Sequence, residues 1–187
     1  KIIKLLSLAI ALAVISLGAK FYLDHSQVLP QAGGTYTEGL IGTPQYLNPI
    51  ISSYNDVDRD LTALIFNGLL KVNNEGVLEP DLAAGYEISP DRKIYTFTLK
   101  ENVAWHDGRP LTADDVIFTI ASIQDPEWQS QLKSVLDNVQ VEKIGDYQFR
   151  LLLKEPVANF AASLTFGILP EHLWQTIPPR NAGLAEL

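Results

Sequence analysis

Apolar and polar positions change period several times along this chain. Residues 5–19 form an unbroken run of apolar and small side chains, flanked by Lys1, Lys4 and Lys20. The run has the length of a signal-peptide core. With Phe21, Tyr22 and Leu23 it approaches the ~20 residues that cross a bilayer. Residues 24–34 are polar with Pro and Gly, the composition of a tether. Residues 35–41 read as a strand, broken by Gly42-Thr43-Pro44. From Asp56 the period becomes helical. Val57, Leu61, Leu64 and Ile65 fall on one predicted apolar face, and acids in the first turn favour the helix dipole. Gly68 then suits a helix C-cap.

The clearest patterning lies between Asp81 and Ser122. Tyr86 and Ile88 enter a turn at Ser89-Pro90-Asp91-Arg92, where Pro presets φ and Asp favours the bend. Tyr95, Phe97 and Leu99 then alternate with Thr96 and Thr98, the period of a half-buried strand. After a turn at Trp105-His106-Asp107-Gly108, Thr112 and Asp115 form an Asp version of the capping box. Val116, Ile117, Ile120 and Ile123 supply that helix's apolar face. Residues 127–137 read as partly helical. Residues 139–144 and 147–153 read as a second hairpin around Gly145-Asp146. Residues 157–164 read as a short apolar helix, and a last short helix runs through Trp174.

The ordered set of motifs carries a resemblance. It comprises Leu82-Ala83-Ala84, Ser89-Pro90-Asp91, Tyr95-Thr96-Phe97-Thr98-Leu99-Lys100, Val103-Ala104-Trp105-His106-Asp107-Gly108 and Pro110-Leu111-Thr112-Ala113-Asp114-Asp115-Val116. Together these resemble bacterial extracellular solute-binding proteins of the oligopeptide, dipeptide and nickel type, family five of that group. Leu47-Asn48-Pro49 and Ile168-Leu169-Pro170-Glu171-His172 extend the likeness, with Glu171 reversing the charge of the family's Lys. The resemblance implies an α/β fold with a mixed sheet, the N-terminal part of a two-lobed periplasmic-binding-protein-like (class II) fold preceded by a hydrophobic helix. It divides the chain into a signal peptide or anchor (1–23), a tether (24–34), the start of the first lobe with a cleft loop (35–66), and a smaller scaffold lobe with the start of the return to the first (67–187). The chain opens on Lys1 rather than Met and stops after the opening portion of such a fold, so a fragment is expected.

Charge and composition narrow the chemistry. Lys1, Lys4 and Lys20 take three of the 14 basic residues while all 22 acids lie from Asp24 onward, so the body after Lys20 carries a formal −11. A nucleic-acid partner needs a basic face and is not expected. The absence of Cys excludes disulfides, a thiol nucleophile and Cys-based metal sites. It also excludes the lipidated Cys common among the resembling proteins, because Lys20 follows Leu17-Gly18-Ala19. Two N-terminal readings remain: an uncleaved anchor with Phe21 and Tyr22 at the interface, or a signal cut near Gly18 or Ala19. Basic residues before the run place the downstream chain outside the cytoplasm.

Candidate chemistry is sparse. No nucleophile–base set, phosphate loop or metal cluster is legible, so no catalytic residue, metal ligand or cofactor is expected. The alternating acids at 56–60 fail a calcium loop, since Leu61 stands at its sixth position and Asn67 at its twelfth. Trp105 and His106 read as structural, and His172 as a surface residue. Carried over by position, the resemblance puts ligand contact on Ser52, Ser53, Tyr54 and Asn55, just after the Leu-Asn-Pro turn, with Glu38 on the first strand as a further candidate. It implies the substrate-binding component of an importer driven by ATP hydrolysis in a partner. That component would take a peptide or another small solute, meet permease subunits in the membrane, and sit outside the cytoplasm on its N-terminal helix. An anchored enzyme and a sensor or adaptor on the same fold are the alternatives.

Overall fold

The computed structural model describes residues 12–20, 33–35, 37–51 and 55–182. They belong to two compact units, Lys1–Gly39 and Leu40–Leu187. In the first, residues 12–20 are helical and exposed to solvent. Among the described residues no helix is long and apolar enough to cross a membrane. The rest of the expected anchor and most of the tether lie outside those residues. The strand expected over 35–41 does not form among the described residues, which are exposed and without regular structure. A strand exists only through its ladder, and no strand among the described residues pairs with this segment.

The second unit is built in chain order from α1 (Asp56–Ile65), β1 (Leu70–Val72), β2 (Leu78–Pro80), β3 (Ala83–Ile88), β4 (Ile94–Leu99), α2 (Ala113–Gln124), α3 (Lys133–Leu136), β5 (Val139–Gly145), β6 (Gln148–Leu153) and α4 (Glu171–Trp174). β1 and β2 pair as a small hairpin, and the other strands form a sheet of order β3-β4-β6-β5. Every strand pair among the described residues is antiparallel.

Both patterned hairpins form. At the β3–β4 turn, Asp91 accepts from the Ser89 hydroxyl (2.5 Å), which itself accepts from the Ile94 N–H (2.9 Å). Arg92 adopts the left-handed φ of 58° that closes the bend. Tyr95, Phe97 and Leu99 are buried as their alternation requires. Register sets Phe97 opposite Phe149. Their rings stack at 5.4 Å, and Tyr86 stacks on Phe97 at 5.1 Å. Such aromatic pairs stabilise by about 0.5–1.5 kcal/mol beyond their buried area. α2 covers the sheet with Val116, Ile120 and Ile123. Its end is fastened by Gln124, whose amide donates to the carbonyls of Leu136 and Val139, each at 2.7 Å.

Two expected elements differ. The helix expected over 157–164 is a 3₁₀ segment, Phe160–Leu164, because Asn159 before it takes a left-handed φ of 55° that no helix can contain. Gly68 is not a left-handed helix cap either. α1 ends at Ile65 with Phe66 as an extended C-cap, and Gly68 instead forms a bridge with Gly167.

Candidate functional site

The loop at 43–51 is held to α1 by buried polar groups. Asp58, fully buried, accepts the backbone N–H of Gln45 at 2.7 Å and of Tyr46 at 3.0 Å. The Thr62 hydroxyl donates to the Asp58 carbonyl one turn away (2.8 Å). These bonds decide which side of α1 faces in. Val57, Asp58 and Thr62 are its buried residues, whereas Leu64 on the expected apolar face is 82% exposed. In the Leu-Asn-Pro turn, Asn48 is also buried, and its side-chain oxygen accepts from the Ile50 N–H at 3.0 Å.

Of the residues singled out for ligand contact, Asn55 is the N-cap of α1. Its oxygen accepts from the Val57 N–H (2.9 Å), and its amide nitrogen donates to the Thr43 carbonyl (3.2 Å). Glu38 is exposed in the first unit. Ser52, Ser53 and Tyr54 lie outside the described residues.

Beside this loop a cavity of about 400 Å³ opens between α1, the loop at 49–50, the segment 131–132 and the segment 165–167. Its apolar wall is Pro49, Ile50, Ala63, Phe66, Leu132 and Phe166. Two glycines let its backbones meet. A Cβ on Gly167 would stand 2.6 Å from Phe66 Cβ and 2.9 Å from Pro49 Cβ, and one on Gly68 would stand 2.8 Å from the Thr165 carbonyl. The opposite wall is set by Gln129, which turns the chain with a left-handed φ of 51°, and by Ser130, whose hydroxyl donates to the Ile50 carbonyl at 2.7 Å. Nothing in the periodicity points to this wall. The cavity's sequence signal lies on its other side, in the Gly at each end of the Gly68–Gly167 contact, which spans about half the chain.

A second set of polar contacts joins the two most recognisable motifs. Asp115 accepts from the Thr112 N–H within the capping box and, with its other oxygen, from the Glu171 N–H, each at 2.9 Å. The Thr119 hydroxyl accepts from the Leu169 N–H (2.9 Å). His172 is not the free surface residue expected: it lies 2.8 Å from Asp107 and its side chain is only 16% exposed. The Arg109 backbone N–H, and after it His172, hold the Asp107 carboxyl below its ordinary value, against the raising effect of burial. These groups are all engaged with one another, which makes them scaffold.

Comparison with known proteins accounts for that scaffold. Residues 77–182, from β2 to the turn after α4, match the family model of bacterial extracellular solute-binding proteins, family 5 Middle. The chain belongs to this family. Among family 5 relatives, the oligopeptide-binding protein AppA of Bacillus subtilis is 30% identical over 152 residues, 80% of this chain and 28% of AppA. The structure of AppA in complex with a nonapeptide superposes with a TM-score of 0.71 at 29% identity, covering 79% of this chain and 30% of that one. NikZ from Campylobacter jejuni, in complex with Ni(L-His), superposes with a TM-score of 0.66 at 31% identity, covering 72% of this chain and 27% of that one. The chain thus spans under a third of the length of these family 5 proteins. The mixed helix-and-sheet unit described above matches part of their periplasmic-binding-protein-like fold.

Proposed function

We propose that this chain is part of the substrate-binding component of an ABC-type importer, which captures a peptide outside the cytoplasm and delivers it to a membrane permease. The observation that carries the reading is the match to AppA, in sequence and in fold, since that relative is structurally known with a nonapeptide bound. Receptors of this kind meet an extended peptide through backbone hydrogen bonds and so tolerate varied side chains. Closure of two lobes over the solute then presents a distinct shape to the permease. Ser52, Ser53, Tyr54 and Asn55, next to the clamped loop, and Glu38 are the proposed ligand contacts. For Asn55 that role adds to its cap, since an amide oxygen has a second lone pair. The run at 5–19 between lysines supports a tether to the cytoplasmic membrane.

One preparation tests both parts. Membranes carrying the intact protein are washed at high salt, and the solute released from the purified protein is identified by mass spectrometry. Retention in the membrane and release of peptides are expected. A soluble, N-terminally shortened protein would overturn the tether, and a preparation free of peptide that also fails to bind added peptide in calorimetry would overturn the receptor reading. Release of a nickel chelate would move the solute to the class seen in NikZ.

A further inference from the structure

We infer that His172 and Asp107 form an acid-tightened latch, which docks α4 onto the turn at 105–109 more firmly in mildly acidic surroundings. The inference stands apart from the receptor reading above and holds whatever solute the protein takes.

Geometry is the first argument. Three polar contacts hold the segment from Leu169 to His172. The Leu169 N–H donates to the Thr119 hydroxyl and the Glu171 N–H to Asp115, each at 2.9 Å. The third is the approach of His172 Nε2 to Asp107 Oδ2 at 2.8 Å. An ionised carboxylate can only accept, so the ring nitrogen is the donor and Nδ1 is left to take up a proton. Of the three donors, only the imidazole can gain charge between about pH 5 and 8. The receiving carboxylate is fixed in advance. Its other oxygen accepts the Arg109 N–H at 3.1 Å. The turn itself is closed by the Gly108 N–H donating to the Trp105 carbonyl (2.9 Å) and the Trp105 N–H to the Arg109 carbonyl (2.8 Å).

Charge is the second. The His172 side chain is 16% exposed and that of Asp107 40%, so water screens the pair only in part. The turn at 105–109 also carries Arg109, whose Nε stands 3.8 Å from the same carboxylate oxygen but whose side chain is 65% exposed. α2 brings Asp114, which pairs with Lys143 at 2.7 Å, and Asp115, which is taken up by backbone N–H groups. On α4 itself Glu171 directly precedes His172 and so does not face it, and Arg180 lies in the short 3₁₀ turn after the helix. The Arg109 N–H, and after it His172, hold the Asp107 carboxyl below its ordinary value. Coupling between two sites is reciprocal, so ionised Asp107 favours a charged His172 by the same amount. The latch therefore tightens as pH falls through the range in which His side chains gain charge. It is lost only when pH falls further, through the lowered value of Asp107.

The test is hydrogen exchange in the intact protein, followed at the amides of Trp174 and Gln175, which donate to the carbonyls of Pro170 and Glu171. Both exchange through local opening of α4. After correction for the intrinsic rate, wild-type protection is expected to rise roughly two- to fivefold from about pH 8 to about pH 5.5, the size of effect of a partly exposed ion pair. His172→Gln keeps a donor that cannot gain charge, and Asp107→Asn removes the carboxylate. Each is expected to flatten the rise. Salt at about 1 M is expected to shrink the rise in wild-type protein, a readout that depends on no variant folding. Flat protection in the wild type, or a rise that survives either substitution or high salt undiminished, would overturn the latch.

Discussion

The two longer helices of the second unit treat their apolar residues in opposite ways. α2 buries seven of its twelve residues, including Val116, Ile120 and Ile123, and adds Asp115 and Thr119 to that face to catch the backbone of α4 and the segment before it. α1 buries three of its ten, of which Asp58 and Thr62 are polar, while Leu64 and Ile65 face solvent. Both sequences have helical period, and both start with acids and a cap. What separates them is the partner. α2 lies on the four-stranded sheet formed among the described residues, and its periodicity matches the face it buries there. α1 is oriented by the loop that Asp58 clamps, and the cavity lies along its other side. The recognisable helix therefore serves stability, and the helix with unmet apolar residues is the one placed to meet another molecule or more polypeptide.

This contrast can be broken by substitution. The largest effect is expected from Phe97→Ala, which removes the ring stacked between Tyr86 and Phe149 beneath α2 and should cost about 3–5 kcal/mol in urea unfolding. A cost below 1 kcal/mol would mean that the sheet is not the stabilising half. Next, Asp115→Ala strands the N–H groups of Thr112 and Glu171 and should cost about 1–3 kcal/mol. The same comparison by hydrogen exchange should show loss of protection at both amides, and unchanged protection at Glu171 would separate α4 from α2. The smallest effect is expected from Leu64→Ser, within about 0.5 kcal/mol, since the side chain is exposed. A loss of 2 kcal/mol or more would show that α1 is covered, and would erase the difference between the two helices.

Legibility in the sequence divides along the same line. The hairpin alternation of Tyr95, Phe97 and Leu99, the Thr112–Asp115 capping box and the second hairpin around Gly145-Asp146 are local, and each forms where its residues place it. The face of α1, the bridge at Gly68 and the partner of His172 depend on residues 12 or more positions away, and none was legible. Asp58 shows why: as a first-turn acid it needs no long-range partner, so its clamp on Gln45 and Tyr46 leaves no mark in the period. The candidate contacts at 52–55 came from resemblance. The cavity lined by Pro49, Ile50 and Phe66, which has no motif, came only from the fold.

The sheet order has a consequence for how the chain acquires its structure. β3 with β4, and β5 with β6, are neighbours joined by tight turns and can zip on their own. The central seam is different, since Gln148 of β6 meets Thr98 of β4 across 50 residues that include all of α2. Closing a loop costs about 0.6 kcal/mol more for each doubling of its length, so this seam starts roughly 2 kcal/mol behind either hairpin. Two preformed ribbons docking under α2 is therefore the expected slow step. The Phe97–Phe149 stack, which spans that seam, should set the folding rate rather than the unfolding rate.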